Sequence, residues 1–126
     1  MKNIIHTENA PAAIGPYSQA ISVNGMLFIS GQLPVNPTTG EVVEGIEEAT
    51  HQVMKNLEAI LLEAGMDFSH VVKSSIFLKD MGDFVAMNDV YASYLQEGNY
   101  PARETVQVAC LPKNVEVEIS MIAYKG

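Results

Sequence analysis

The chain has 126 residues, 48% of them apolar and 17% charged, which is enough for one packed core and argues against an intrinsically disordered protein. Its formal net charge of −8, with only seven Lys plus Arg, makes nucleic acid an unexpected partner because the phosphate backbone is also negative. One cysteine excludes an internal disulfide and a cysteine-based zinc site. The length of the chain predicts a single domain, residues 1–126. Because the sequence has neither a long apolar run nor a signal-peptide pattern, we expect a location in the cytoplasm and no membrane partner.

Two short segments near the N-terminus predict a β-hairpin. Residues 17–23 and 26–30 have the composition of strands, and Asn24 and Gly25 lie between them. This pair tolerates the two positive φ angles of a type I′ turn, which suits the twist of the flanking strands.

A loop and then a helix follow the hairpin. Residues 31–40 are rich in Gly, Pro, Asn and Thr and predict a loop, and 41–43 are expected to form a brief edge strand. A helix is predicted over 46–64, ending before Gly65, because apolar residues recur at intervals of three and four. The apolar positions are Ile46, Ala49, Val53, Leu57, Ile60, Leu61 and Ala64.

The second half predicts a strand, a helix and two further strands. Residues 71–78 are expected to form a buried strand, and 80–83 a turn that also offers an N-cap to a helix near 84–96. The expected inner face of this helix comprises Phe84, Met87, Asn88, Tyr91 and Leu95. Strands are predicted at 103–110 and 115–124, joined by a short loop that contains a proline.

This order of elements predicts an α+β domain in which two helices cover one face of a mostly antiparallel sheet. In the last strand, apolar residues alternate with a mixed set on the other face, namely Glu116, Glu118, Ser120, Ile122 and Tyr124. A face that is neither apolar nor fully polar is typical of a subunit interface that includes polar groups.

Arg103 is the first candidate for a binding residue. It follows Pro101, whose fixed φ stiffens the chain and biases Tyr100 toward extended geometry. A guanidinium on a rigid segment of backbone can bind a small organic acid through two parallel hydrogen bonds to its carboxylate. The alternative is a surface salt bridge, with Glu104 or another carboxylate as the partner.

Nearly the whole chain resembles the family of reactive-intermediate (enamine/imine) deaminases, the Rid proteins. The matching segments are Ala-Ile-Gly-Pro-Tyr-Ser-Gln-Ala at 13–20, Phe-Ile-Ser-Gly-Gln-Leu-Pro at 28–34, Asn88, Pro-Ala-Arg at 101–103 and Val-Glu-Val-Glu-Ile at 115–119. The resemblance implies a chorismate-mutase-like fold of the Bacillus type, assembled as a homotrimer with ligand clefts between subunits.

The resemblance also implies an activity. Rid proteins hydrolyse 2-imino acids, such as 2-iminobutanoate and 2-iminopropanoate, to 2-keto acids and ammonia, and they need no cofactor. Their substrates form from enamines released by pyridoxal-phosphate dehydratases, which implies a role in metabolite damage control and isoleucine biosynthesis. The alternative is a non-catalytic protein of the same fold that binds small carboxylates or has a regulatory role.

Carried onto this sequence, the family pattern places the carboxylate anchor at Arg103 and the water-positioning group at Glu118. Further substrate-binding positions fall on Tyr17, Ser30, Gly31, Asn88 and Thr105. Hydrolysis of an imine requires such an anchor, an aimed water and proton transfer, which a carboxylate can provide. Several of these residues also have a structural alternative: Glu118 as an exposed strand carboxylate, Tyr17 as a half-buried aromatic, Ser30 and Gly31 as the end of a hairpin, and Asn88 as a helix polar group bonded to the backbone.

Three positions depart from the family pattern, namely Glu104, Thr105 and Ser120, where several relatives have an acidic residue. Glu104 places a carboxylate beside the anchor, and strand alternation is expected to send it to the opposite face from Arg103. Thr105 replaces a family cysteine whose backbone carbonyl is the implied contact. Cys110 is expected to be a small buried residue rather than a nucleophile.

The separation of the two main candidates suggests an inter-subunit site. A tight hairpin between the last two strands would set Arg103 opposite position 123, which leaves Glu118 roughly 15 Å away. We therefore expect either a cleft that joins neighbouring subunits or a gap the size of a substrate. The three histidines are far apart in sequence, and no metal is predicted.

Overall fold

The computed structural model describes residues 1–126 and contains one six-stranded sheet and two α-helices. The strands are β1 (Asn3–Ile5), β2 (Ala20–Val23), β3 (Met26–Gln32), β4 (Val71–Leu78), β5 (Ala102–Gln107) and β6 (Val117–Tyr124), and the helices are α1 (Ile46–Glu63) and α2 (Phe84–Ser93). The spatial order is β1-β2-β3-β6-β4-β5, and only the β4–β5 pair is parallel.

Both helices lie on one face of this sheet. The residues of β6 alternate between buried and partly exposed, and the buried ones join α1 and α2 in a core cluster of 21 residues. The cluster includes Leu57 and Ile60 from α1, Met87 from α2, and Ile119 and Met121 from β6. The α+β class with two helices on one face is therefore confirmed, and the opposite face of the sheet has the expected mixed character. Neither helix has the length and hydrophobicity that crossing a bilayer requires.

The predicted hairpin is confirmed, with β2 starting at Ala20. Asn24 and Gly25 have φ angles of 50° and 80°, as a type I′ turn requires. A Cβ on Gly25 would also lie 3.0 Å from the carbonyl oxygen of Lys125, so this turn suits glycine sterically as well.

The first helix also lies where the apolar period placed it, but its N-terminus is capped from a distance. Gly45 precedes the helix without a side-chain cap, and its N–H donates to Glu116 Oε1 at 2.7 Å. This bond connects the start of α1 to Glu116, the residue just before β6. Glu118, the second residue of β6, lies two positions further along the chain.

The second helix ends three residues earlier than predicted. After Ser93, the N–H groups of Tyr94 and Leu95 bond to carbonyls three residues back, so the last turn tightens into 3₁₀ geometry. At the other end, Asp80 caps a short 3₁₀ turn at Met81–Asp83, while Asp83 makes no capping bond to α2.

The strands differ from what the sequence suggested in three ways. The chain forms β1 at Asn3–Ile5, which was not predicted, and residues 41–43 contribute only an isolated bridge between Val42 and Val35. The last two strands do not form a hairpin, because β4 lies between them and pairs with β5 in parallel and with β6 antiparallel.

The expectation for Cys110 was also wrong, since its side chain is exposed. Strand β5 ends at Gln107, and the chain then leaves the sheet before the short 3₁₀ turn at Pro112–Asn114. Cys110 therefore lies in a connecting segment rather than on a buried strand face.

Candidate functional site

Arg103 lies on the edge strand β5, with its side chain on the face that the helices cover. Its Nη1 donates to Asn88 Oδ1 at 2.5 Å, and its Cζ lies 5.5 Å and 5.3 Å from the ring centroids of Phe84 and Tyr91. All three partners belong to α2, and none carries a negative charge. No carboxylate lies within ion-pairing distance of Arg103, so its charge is uncompensated within the protomer.

A cleft of about 430 Å³ opens beside this guanidinium. It is lined by Asn88, Tyr91, Ala92, Tyr100, Pro101 and Arg103. Tyr91 is buried and donates its hydroxyl to Ser74 Oγ at 2.9 Å, which fixes the ring beneath the cleft. Burial raises the pKa of the Tyr91 phenol, so this group stays neutral and leaves Arg103 as the charged group of the cleft.

Glu104 points to the opposite face of the sheet from Arg103, as strand alternation predicts. Its carboxylate accepts a hydrogen bond from Ser75 Oγ and pairs with Lys73 Nζ at 3.0 Å. The hydrogen bond from Ser75 is the main reason that the pKa of Glu104 is lowered, with Lys73 adding to it. The alternative in which Arg103 forms a salt bridge with Glu104 is therefore wrong.

Glu118 also lies on the face opposite Arg103. It pairs in register with Phe77 of β4, whereas Arg103 pairs with Ser74, the buried residue that Tyr91 contacts. The side chain of Glu118 is half-buried, and burial raises the pKa of its carboxyl group. A partly desolvated carboxylate of raised pKa is a stronger base than an exposed one.

Gly31 and Glu118 are in direct contact across the β3–β6 pair. The register shifts between Ile29 and Gln32, so Ser30 and Gly31 form a bulge opposite Ser120. A Cβ on Gly31 would lie 2.8 Å from Cδ of Glu118 and closer still to Oε2. The 2.8 Å separation is shorter than two non-bonded carbon atoms adopt. The absence of a side chain at Gly31 is therefore what leaves room for the carboxylate.

Ser30, which is part of this bulge, and Tyr17 are the remaining candidates in this region. Ser30 Oγ donates to the carbonyl of Ser18 at 2.6 Å, so its hydroxyl proton is engaged within the protein. Tyr17 is 54% exposed and, together with Gly31, lines a second cleft of about 470 Å³.

Thr105 faces the same side of β5 as Arg103. Its Oγ1 is buried without a hydrogen-bond partner. Beyond the end of β5, the N–H of Val108 bonds to the carbonyl of Leu78, so alternation directs the backbone groups of Arg103 and Thr105 away from β4, toward the open edge of the sheet. The Thr105 carbonyl is thus available to a ligand or to another chain.

The candidates therefore form two groups within one protomer. Arg103, Asn88 and Thr105 lie on the helix side of β5, while Glu118, Ser30 and Gly31 lie around the β3 bulge with Tyr17 nearby. Three residues along β4 and two strand spacings separate Arg103 from Glu118, which is roughly 14 Å between Cα atoms. One protomer by itself does not bring the anchor and the base together.

The side chains that hold Arg103 were not predicted from the sequence. Phe84 and Tyr91 were placed on the inner face of α2, but their contact with the guanidinium was not foreseen. The available signal was the spacing 84, 88 and 91, which puts two aromatic rings and one amide on a single stripe of a helix.

Metal ligation has no support in the geometry. No three side chains of His, Cys, Asp or Glu come close enough together to hold a metal ion. Nδ1 of His51 is hydrogen-bonded to the Tyr94 hydroxyl at 2.8 Å, and His70 pairs with Asp67.

Comparison with known proteins gives consistent matches along the chain. A family model described as Endoribonuclease L-PSP matches residues 7–125. A RutC family protein of Pyrococcus horikoshii is 54% identical over 126 residues, and the match covers 99% of this chain and 99% of that protein. A mouse protein named 2-iminobutanoate/2-iminopropanoate deaminase is 47% identical over 127 residues, covering 100% of this chain and 93% of its own.

Solved structures agree with these sequence matches. A Rid family protein of Yersinia pestis, YyfA, has a TM-score of 0.97 at 50% identity, covering 99% of this chain and 100% of its own. E. coli TdcF with bound serine has a TM-score of 0.95 at 40% identity, covering 98% and 99%. Because the family model matches nearly the whole chain and the relatives are this similar in sequence and structure, the chain belongs to the Rid family.

Proposed function

We propose that this protein is a cofactor-independent deaminase that hydrolyses reactive 2-imino acids and their enamines to 2-keto acids and ammonia. The substrates are small, such as 2-iminobutanoate and 2-iminopropanoate. In this proposal the protein acts in the cytoplasm on the products of pyridoxal-phosphate dehydratases, which release such enamines. The mouse relative of 47% identity, which is named for this activity, supports the substrate class.

The observation that carries the proposal is the uncompensated charge of Arg103. A surface arginine usually pairs with a carboxylate or extends into water, but this guanidinium is held by an amide and two rings beside an open cleft. Four of its five N–H donors make no hydrogen bond within the protein. A guanidinium with free donors can bind a carboxylate through two parallel hydrogen bonds, and every 2-imino acid carries a carboxylate.

Glu118 is assigned the proton transfers. Its raised pKa suits a base that takes a proton from water as the water attacks the imine carbon. Glu118 passes this proton to the imine nitrogen, which gives the carbinolamine. As the carbinolamine collapses, Glu118 takes the proton of its hydroxyl group while the C=O bond forms and delivers it to the nitrogen while the C–N bond breaks, so that ammonia leaves. In this scheme Gly31 leaves space for the carboxylate, and the Thr105 carbonyl and Tyr17 contribute to substrate binding.

A homotrimer would bring the two groups together. The sheet face that carries Glu118 also exposes large apolar side chains, with Phe28, Val106 and Tyr124 each more than 40% accessible. Burying such a face against copies of the same chain is favourable, and a closed ring makes the contact between unlike surfaces. We assign the complete site to the boundary between two subunits, with Arg103 from one and Glu118 from its neighbour.

The test is a trapping assay. An amino acid oxidase generates 2-iminobutanoate in the presence of semicarbazide, and the deaminase lowers the amount of trapped imine. Wild type and the surface control Glu63→Gln are expected to suppress trapping catalytically, while Arg103→Ala and Glu118→Gln do not. Equal trapping with and without folded wild-type protein would refute the proposal.

A carboxylate-binding or regulatory protein is the second candidate. The cleft beside Arg103 is lined by residues of one protomer and needs no contribution from Glu118 to hold an acid. A solved relative that contains bound serine is consistent with ligand binding in this family. Saturable binding of 2-ketobutyrate that depends on Arg103, without turnover of the imine, would favour this candidate.

A further inference from the structure

The guanidinium of Arg103 is held by three residues on one stripe of α2. Phe84, Asn88 and Tyr91 occupy positions i, i+4 and i+7 of the helix, so their side chains project from the same side. The two ring centroids lie 5.5 Å and 5.3 Å from Cζ, and the amide accepts the Nη1 hydrogen bond. We call these three residues the α2 cradle.

We propose that the α2 cradle positions Arg103 for carboxylate recognition and so sets the affinity of the site. The inference deepens the proposed function, since it rests on Arg103 as the carboxylate anchor. It assigns Phe84 and Tyr91 a role in binding, and it changes the role of Asn88 from substrate contact to positioning residue.

The chemistry of the cradle supports this role. An arginine side chain loses several rotatable bonds of freedom when it binds a ligand, and holding it in place beforehand reduces that cost. A carboxylate in the cradle would also hold it, but would compete with the ligand for the same donors. Ring faces and a neutral amide restrain the guanidinium while leaving its charge available.

The anchorage of the cradle differs between its members. Tyr91 is buried, and its hydroxyl is fixed by Ser74 on β4, the residue that pairs in register with Arg103. Strand, helix and guanidinium therefore form one connected unit. Phe84 is half-buried at the first turn of α2, so replacing it disturbs the core less than replacing Tyr91 does.

The effect of the cradle must pass through Arg103, which allows a direct test. We would measure the dissociation constant of 2-ketobutyrate for wild type, Phe84→Leu, Arg103→Ala and the double variant. Removing one ring face at a partly exposed site is expected to weaken binding by about three- to tenfold. In the Arg103→Ala background, the same Phe84→Leu change is expected to have no further effect.

Val85→Ala provides the matched control. Val85 is adjacent to Phe84 on α2, is 70% exposed, and lies outside the cradle, so this variant is expected to bind like wild type. In turnover, Phe84→Leu is expected to raise KM by the same factor and to leave kcat within about twofold, because the ring acts on binding rather than on proton transfer.

Two results would overturn the proposal. Equal weakening by Phe84→Leu with and without Arg103 would show that the ring acts on its own, as packing or as a direct contact. Absence of saturable 2-ketobutyrate binding by wild type would remove the carboxylate site altogether. Absence of deaminase activity is a separate result, because comparing the four dissociation constants for 2-ketobutyrate requires no turnover.

Discussion

Replacing Gly31 by alanine tests whether the position of the Glu118 carboxylate controls the chemistry. The added Cβ would lie 2.8 Å from Glu118 Cδ and closer still to Oε2, so the carboxylate must move aside. The side chain is the flexible part of this contact, and the backbone of Gly31 does not have a positive φ. The clash is therefore expected to be relieved by rotation of Glu118 rather than by distortion of the sheet.

The expected magnitudes separate stability from activity. Alanine in place of a strand glycine gains about 0.5–1 kcal/mol from lower chain entropy, which offsets much of the cost of moving Glu118. The free energy of unfolding should therefore change by less than about 1 kcal/mol. A displacement of about 1 Å in a catalytic group lowers kcat by a factor on the order of 100.

The assay combines urea unfolding with imine trapping. Gly82→Ala is the matched control, because Gly82 also lacks a positive φ and the atoms nearest to its added Cβ belong to the Asp80 side chain, the first at 3.1 Å. We expect Gly82→Ala to keep its activity and Gly31→Ala to lose it while remaining folded. Wild-type kcat in Gly31→Ala, or a loss that merely follows unfolding, would refute the reasoning.

Three further predictions follow from the side-chain environments. Glu118→Gln should gain stability relative to wild type as pH rises to neutral, because burial raises the carboxyl pKa and disfavours the ionised form that wild type adopts at higher pH; pH-dependent urea unfolding checks this, and a constant difference would contradict it. Glu104→Gln should have the opposite sign, because the pKa of Glu104 is lowered: the variant should be less stable above the ordinary pKa and converge with wild type as pH falls through the lowered one. Tyr91→Phe should cost about 1 kcal/mol in urea unfolding, since it removes the buried bond to Ser74, and an unchanged midpoint would count against that bond.

Sequence periodicity was enough to predict much of the fold. The hairpin at Asn24 and Gly25, the helix α1 and the strand β4 all depend on local signals, namely turn residues and apolar spacing, and all three are present. The opposite orientation of Glu104 and Arg103 also followed from strand alternation alone.

The errors arose where tertiary pairing decides the structure. The last two strands follow each other in sequence and could have formed a hairpin, but β4 lies between them and pairs with both. That arrangement places Arg103 and Glu118 on different faces, which no local pattern specifies. Similarly, β1 has three residues and depends on pairing with β2, so its own sequence carries too little signal.

The candidate site was predicted only in part. The family resemblance supplied the residues, while their distribution between two groups became visible only in the sheet. The cradle around Arg103 required the side-chain contacts of α2, because aromatic residues at helical spacing are equally typical of core packing.

Subunit complementation is the most direct test of the central claim that Arg103 and Glu118 act across a subunit boundary. Arg103→Ala and Glu118→Gln are each expected to be inactive. After denaturation and refolding of an equal mixture, random assembly of closed trimers should restore about one quarter of the wild-type sites, because each mixed trimer has one boundary with both groups intact. Recovery near that level supports the account, and a mixture that assembles but stays inactive would contradict it.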